Sequence, residues 1–359
     1  MKILHILENF STTSGGIRTV VKSLDEKLNK NGIESFIVSA NCDREDVIYA
    51  TVKTTNSWLF SSDWKKIIHN IINDKEIDLI HIHGVWMYPQ YIAAKLAVKS
   101  KIPFIVTPHG MYEPWLWTQG RFKKKTYFNI LSRPIFKKAS AIHAITEGEH
   151  QNLKKLFPST QIRLIPNLID SKAYEDYSII DEKYILFVGR IDEKKGIDIL
   201  IKAFANLKSN KIKLKIAGKI NDYKLELDKL IESLGIVDRV EFLGLIKGGV
   251  KEHTYRNAFL FVAPSHSEVI GMVNLEAAIY GVPVITTYQT GLKNEWSVNG
   301  GHLINPNEEE LIKALKNFVY IDIEQRNVRG KLLHDFVNIE YSWENKIGDW
   351  VKLYKESHL

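Results

Sequence analysis

Apolar runs of strand length alternate along this chain with segments whose apolar positions recur every three or four residues. "KILHIL" precedes a helical pattern over 17–31 that stops at Gly32. "SFIVSA" follows, then a helix over 63–74, "IDLIHIHG", a helix over 89–99, "PFIVTPHG", a basic segment and "AIHAITE". Residues 166–182, "PNLIDSKAYEDYSIIDE", begin with proline, lack periodicity and read as a linker. The alternation restarts with "YILFVGR", a helix over 197–208, "LKIAG", a helix over 223–234, "VEFLG", a helix over 251–257, "FLFVAPS", a helix over 272–280 and "PVITT". Helices over 308–319 and 342–356 close the pattern. Strand–helix–strand units of this kind build parallel sheets, so an α/β fold of two Rossmann-like domains is predicted. The domains are placed at 1–165 and 183–338, with 166–182 between them and a last helix within 339–359. Such sheets bind ligands at the carboxyl ends of their strands, which puts the expected site in a cleft between the halves.

Composition narrows the class. The chain has 359 residues, 45% of them apolar, enough for two cores. No apolar run reaches the roughly 20 residues that span a bilayer, and "MKILHILENF" is too short for a signal peptide. The single Cys42 excludes an intramolecular disulfide and suits a reducing compartment, so a cytoplasmic protein is expected. There is no G-x-G-x-x-G fingerprint and no P-loop, which argues against a nicotinamide dehydrogenase and a phosphate-hydrolysing motor. There is no D-x-D pair either, and no metal or cofactor is expected.

The charge is lopsided. Residues 1–165 hold 23 Lys and Arg against 14 Asp and Glu; residues 166–359 hold 26 against 28. The basic surplus belongs to the N-terminal half and points to an anionic partner there. Residues 121–138, "RFKKKTYFNILSRPIFKK", carry seven cations and no acid, interleaved with Phe122, Tyr127, Phe128, Ile130 and Leu131 and preceded by Trp115 and Trp117. Over 115–138 this composition suits an anionic membrane surface, with aromatic rings at headgroup depth. A basic helix with its apolar face on the core explains it equally.

Several short stretches could carry chemistry. In "SEVIGMVNLEAAIYG" (267–281), a helix from Met272 to Tyr280 leaves free N–H groups at Gly271, Met272 and Val273, a setting for phosphate. Glu268 hangs over that spot; a carboxylate suits hydroxyls there, not phosphate. Two surface acids beside a helix start would look the same. In "GRIDEKKG" (189–196), Arg190 and Lys195 leave a strand end in a short loop, where two cations suit a diphosphate. In "SGGIRTVV" (14–21), Gly15 and Gly16 permit close backbone approach to a ligand, or simply a tight turn. His109 of "TPHGM" sits at a strand end where its side chain would point into the cleft, although a lone histidine there is often structural. His81 and His83 share one strand face, but no third ligand is evident, so a zinc site is rejected.

These motifs stand in a fixed order. "SGGIRTVV", "TPHGM", "IPNLID" (165–170), "GRIDEKKG", "FLG" (242–244), "YRNAFLFVAPS" (255–265) and "E…GMVNLEAAIYGVPVI" together resemble the retaining family-four glycosyltransferases of the GT-B fold, over nearly the whole chain. The final "YSWENKIGDWVKLYKE" resembles that family's last helix, which crosses back to the N-terminal domain. The resemblance implies two Rossmann-like domains with parallel sheets facing a central cleft. It implies a nucleotide-diphosphate sugar, UDP-sugar favoured, as donor. Glu268 and Glu276 match the family's E-x7-E pair, the first on donor-sugar hydroxyls and the second on the ribose. Arg190 and Lys195 match the two cations on the diphosphate. The Gly271–Val273 amides and the Gly15–Gly16 turn would reach the phosphates or sugar, His109 the sugar, and backbone at Leu245 and Ile246 the base. His109, Glu268, Arg190 and Lys195 form the expected catalytic set. The expected acceptor is a glycan, such as one carried on polyprenyl diphosphate, in O-antigen, capsule or exopolysaccharide assembly at the inner membrane face.

Two departures stand out. Val269 and Ile270 occupy positions where the family usually has glycine and an aromatic, and "LIKGGVKEH" replaces an often acidic loop. Valine tolerates positive φ poorly, so the loop backbone is expected to differ. A GT-B nucleotide-sugar epimerase and a GDP-mannose-type mannosyltransferase remain alternatives. A nucleic-acid-binding protein is disfavoured, because no RNA-binding aromatic motif or basic recognition helix is present.

Overall fold

The computed structural model describes residues 1–11, 15–43, 48–54, 56–117, 120–177, 182–207 and 211–358. Ser14 and the side chain of Trp115, both in stretches singled out above, lie outside the described residues, as do 178–181 and residue 208. The chain divides into two units, 1–167 with 346–359, and 168–345.

The N-terminal unit is one parallel sheet. Its strands are β1 (Lys2–Leu7), β2 (Glu34–Ser39), β3 (Ala50–Thr51), β4 (Leu79–His83), β5 (Phe104–Thr107), β6 (Ala141–Ala144) and β7 (Ile162–Leu164), in the order β3-β2-β1-β4-β5-β6-β7. The C-terminal unit repeats the plan with β8 (Lys183–Val188), β9 (Ile212–Ala217), β10 (Val240–Gly244), β11 (Leu260–Ala263), β12 (Val284–Thr287) and β13 (His302–Ile304), ordered β10-β9-β8-β11-β12-β13 and again all parallel. Central strands such as β4 and β11 are buried at every residue, because helices cover both faces of a parallel sheet. In each sheet the strand order reverses beside the first strand, between β1 and β4 and between β8 and β11. Loops at that switch point diverge and leave a crevice.

The helices begin where capping chemistry allows. Asn307 Oδ1 accepts from Glu310 N at 2.9 Å, with Glu308, Glu309 and Glu310 in the first turn of Glu308–Val319. Asp322 Oδ1 accepts from Gln325 N at 2.7 Å and opens Ile323–Tyr341. That 19-residue helix carries no helical signature in the sequence. Val328, Leu332 and Ile339 are exposed, whereas Arg326, Gly330 and His334 are buried. Arg326 donates to the carbonyls of Phe259, Gly281 and Ala258 at 3.1, 2.9 and 2.9 Å, and lies over the Tyr177 ring. Gly330 lets the helix backbone touch Gly281; a Cβ there would stand 2.1 Å from the Gly281 oxygen. The buried face thus sets Arg326, Gly330 and His334 beside Leu333, Val337 and Tyr341. Replacing Arg326 by Met, similar in length, strands three buried carbonyls. It should cost ~3 kcal/mol or more in the C-terminal unit, read as a fall in its urea midpoint; an unchanged midpoint would show that water replaces the guanidinium.

The linker expectation needs correction. Residues 168–177 are an ordered strap on the C-terminal unit. Ile169 N donates to Tyr341 O at 2.8 Å, Tyr174 OH to Asn327 O at 3.0 Å, and Tyr177 N to Asn327 Oδ1 at 3.1 Å, with Tyr177 buried. The strap has no periodicity because it runs extended and is held through its backbone. The end of the chain also differs from the expected 339–359 boundary. Ser342 takes an extended conformation between Ile323–Tyr341 and Trp343–His358, and residues 346–359 group with the N-terminal unit. β3, β7, β13 and the helix Glu147–Leu156 also escaped the hydrophobic pattern, the strands for being only two or three residues long.

Candidate active site

The first group of site residues gathers at the β8/β11 switch point. β8 runs into Gly189 and the exposed Arg190, then a 3-10 turn, Glu193–Lys195, that ends at Gly196. Gly196 has φ 64°, and a Cβ there would stand 2.3 Å from the Pro264 oxygen, so this loop needs glycine to pack on the one after β11. His266 N donates to Lys194 O at 2.8 Å and joins the two loops again. Lys195 Nζ then reaches Glu268 Oε1 in a direct ion pair whose side chains are 15% and 17% exposed. Ser265 Oγ donates to the same carboxylate oxygen at 3.2 Å, and Glu268 N donates to Gln289 O at 3.0 Å. Arg190 has no hydrogen-bond or ion-pair partner among the described residues.

Directly beyond Glu268, the helix Met272–Ile279 starts with Gly271 as its N-cap and no side-chain cap. Among the described residues, the N–H groups of Gly271, Met272 and Val273 meet no acceptor. Gly271 is required by packing rather than by its φ of −76°, since a Cβ would lie 2.4 Å from Asn274 Nδ2. Both amide atoms of buried Asn274 lack partners. Val269 and Ile270 do not take positive φ; Ile270 turns into the core instead, which is how the loop accommodates side chains where glycine was expected.

Glu276, two turns along, faces a different space. Its carboxylate accepts from Tyr255 OH at 2.9 Å and pairs with Lys251 Nζ at 2.7 Å. Burial, together with the Glu276 charge, drives the Tyr255 hydroxyl far above its ordinary pKa. These three residues and Gly248 line a cavity of about 210 Å³. Leu245 and Ile246 follow β10 and are not among its lining residues; Leu245 is exposed. Lys251 and Tyr255 were not anticipated as site residues, although their i, i+4 spacing on one helix was readable.

In the N-terminal unit, Gly15 has φ 86° and caps the helix Gly16–Lys30. Among the described residues, a Cβ on either Gly15 or Gly16 would meet nothing within 4 Å, which leaves the backbone there room for a ligand. His109 follows β5 with φ 54°, unusual for a residue with a side chain. Buried Glu149 holds the turn, accepting from Gly110 N at 2.6 Å and Ile145 N at 2.8 Å. Desolvation lifts the Glu149 carboxyl to about 7 despite those bonds.

Behind His109 lies a histidine cluster. His83 Nδ1 is 3.0 Å from His109 Nε2, and His5 Nδ1 is 3.0 Å from His83 Nε2. His81 bonds Tyr354 OH at 2.8 Å and Thr107 Oγ1 at 2.7 Å; Thr107 bonds His143, which bonds Ile165 O. Burial pulls His5 and His109 down to about 3 and His143 to about 4, and holds His81 and His83 well below 6.5. His5 is the third imidazole whose apparent absence led the sequence reading to reject a zinc site. Ligand atoms of His5, His81 and His83 lie within 4.8 Å of one another. As they stand, both His81 nitrogens and His5 Nδ1 are engaged in hydrogen bonds.

Two doubly wound parallel sheets, each opening glycine-bearing loops at its switch point, define the GT-B class. The chain belongs to the GT-B glycosyltransferases: residues 14–173 match the model of Glycosyltransferase Family 4 and residues 175–331 that of glycosyl transferases group 1. An uncharacterized glycosyltransferase of Methanocaldococcus jannaschii is 25% identical over 95% of this chain and 94% of its own. An uncharacterized 41.2 kDa protein from the cps region of Klebsiella pneumoniae is 25% identical over 99% of both. The fold is shared with Anabaena HepE, solved in complex with UDP and glucose, at TM-score 0.77 and 18% identity, over 98% of this chain and all of that one.

Proposed function

We propose that this glycosyltransferase moves a sugar, with retention, from a nucleotide-diphosphate sugar to a glycan acceptor in surface-polysaccharide assembly. The observation that carries the reading is the convergence of Arg190, the Lys195–Glu268 pair and the open helix start at Gly271 on one switch point. The acceptor oxygen bonds to the anomeric carbon as the bond from that carbon to the β-phosphate oxygen breaks. The electron pair stays on the phosphate, and the acceptor proton passes to that oxygen. A diphosphate leaving group needs charge neutralisation, which Arg190, Lys195 and the Gly271–Val273 amides supply in fixed positions, so the proposal assigns no metal. Glu268 orients sugar hydroxyls, Glu276 the ribose, and His109 a sugar oxygen. A UDP-sugar is favoured by the likeness to a UDP-binding fold relative. A thermal-shift screen of UDP-, GDP- and dTDP-sugars tests the donor: one family should stabilise the protein in proportion to ligand concentration. No response to any of them, or epimerised nucleotide sugar formed without acceptor, would overturn the reading.

The acceptor proposal adds a lipid carrier. Over 121–136 the chain is helical, with Phe128 and Phe136 buried while Phe122 is 87% and Ile130 66% exposed among the cations. One face therefore packs on the core, and a second apolar set stays outside. No helix among the described residues is long and apolar enough to cross a membrane, so the proposed contact is peripheral. Flotation with anionic liposomes should recover the protein, and Phe122→Ser with Ile130→Ser should lower recovery severalfold. Equal recovery with neutral vesicles would remove this part of the proposal.

A further inference from the structure

The imidazole chain behind His109 has a direction. His5, His83 and His109 are joined by two hydrogen bonds of 3.0 Å, with ring centroids 5.3 Å apart at each step and nearly stacked. His81 and His143 belong to a separate string through Thr107 and do not enter this one. At the inner end, His5 Nε2 is buried without a partner. At the outer end, His109 is half-buried, and its Nδ1 has no partner among the described residues.

Burial keeps all three rings neutral, so each carries one N–H. Two patterns then satisfy both bonds. With every proton on Nε2, His109 donates to His83 and His83 donates to His5. That leaves an N–H of His5 buried with nothing to accept it, and a bare Nδ1 on His109. With every proton on Nδ1, His5 donates to His83 and His83 donates to His109. The buried leftover is then only an acceptor nitrogen, and His109 presents an N–H at its outer edge. An orphaned buried N–H is the rarer and costlier defect.

We propose that His5 and His83 are positioning residues that fix His109 as its Nδ1–H tautomer, so that its outward nitrogen donates a hydrogen bond and cannot act as a base. The positive φ of His109 and the Glu149 grip on Gly110 set the backbone from which the ring is aimed. The functional consequence rests on the donor-site reading above: His109 offers its N–H to an oxygen of the donor, and the acceptor proton goes elsewhere. The tautomer itself is a property of the unliganded protein.

Long-range proton–nitrogen NMR on the full chain, with its histidines labelled with nitrogen-15 and no substrate present, reads the tautomer directly. His109→Ala identifies the signals. His109 is expected as Nδ1–H in the wild type. In His83→Ala that pattern should be lost to a mixture of tautomers. In His83→Asn, whose Nδ2 can donate from the place of His83 Nδ1, it should persist. An Nε2–H His109 in the wild type, or an unchanged Nδ1–H in His83→Ala, overturns the proposal. If His83→Ala does not fold, the wild-type spectrum and His83→Asn decide. An Nδ1–H His109 alongside a donor screen without a hit supports the tautomer lock and removes the transferase role, so the two failures are distinct.

Discussion

Lowering the pH from 7 to 5 should destabilise the N-terminal unit. His5, His81, His83 and His143 are each at most 2% exposed, and burial holds all four below the ordinary histidine value of 6.5. The unfolded chain therefore binds more protons than the folded one. Their stabilisation is present above about 6.5 and is lost as pH falls toward the folded values, about 3 for His5 and about 4 for His143. Between pH 7 and 5 His5 and His143 each give up about 2 kcal/mol, and His81 and His83 lose stability in the same direction. Glu149 works the other way: its carboxyl is raised from 4.5 to about 7, so its stabilisation is full below 4.5 and lost as pH rises through 7. Acidification over the same window returns about 2 kcal/mol from it. The net loss from His5, His143 and Glu149 is ~2 kcal/mol, to which His81 and His83 add, a substantial part of the roughly 5–15 kcal/mol that holds a typical domain together. Urea midpoints at pH 7, 6 and 5 measure it. A midpoint that stays level would mean that the imidazoles are already charged in the fold.

Replacing Lys195 by Met should lower kcat/KM for the donor ~10³-fold, more than the ~10² expected for Arg190→Ala. Both changes remove one fixed positive charge from the proposed diphosphate site. Lys195→Met does further harm, because Glu268 is its ion-pair partner. The carboxylate is left uncompensated where a dianionic group must approach, and a like charge at close range costs affinity. Adding Glu268→Gln to Lys195→Met should therefore recover part of the donor KM without recovering kcat. Initial rates with the donor found by thermal shift separate the two parameters. Wild-type kinetics in Lys195→Met would remove the site assignment, and a double variant no better than the single would remove the repulsion argument.

Much of this was written in the chain at short range. Arg190, Lys195, Glu268 and Gly271 were legible because each lies within a few residues of an apolar strand that fixes where its loop emerges. Glu276 was legible by spacing, but its partners Lys251 and Tyr255 sit on another helix, and only packing joins them. Glu149 looks in sequence like an ordinary first-turn acid: Thr146 Oγ1 accepts from its N–H at 3.1 Å, as in a capping box. Nothing local says that its carboxylate turns to Gly110, 39 residues back. His5 was missed for the same reason, since it meets His81 only through the β1–β4 register. Ile323–Tyr341 was hidden because Arg326, Gly330 and His334 share its buried face with Leu333, Val337 and Tyr341, while Val328, Leu332 and Ile339 are exposed, so apolar residues fall on both sides.

The division of the chain bears on how the protein is made. Residues 346–359 belong to the N-terminal unit, and Tyr354 and Trp350 lie against the histidines of its sheet. The first unit to leave the ribosome is therefore the one that has to wait. Its sheet can assemble early, yet His81 and His143 lack their cover until residues 346–359 emerge. The second unit, residues 168–345, is continuous in sequence and draws on no segment outside it. A chain cut before residue 346 would keep every residue of the C-terminal unit but leave His81 and His143 of the N-terminal sheet without Trp350 and Tyr354, open to chaperones and proteases.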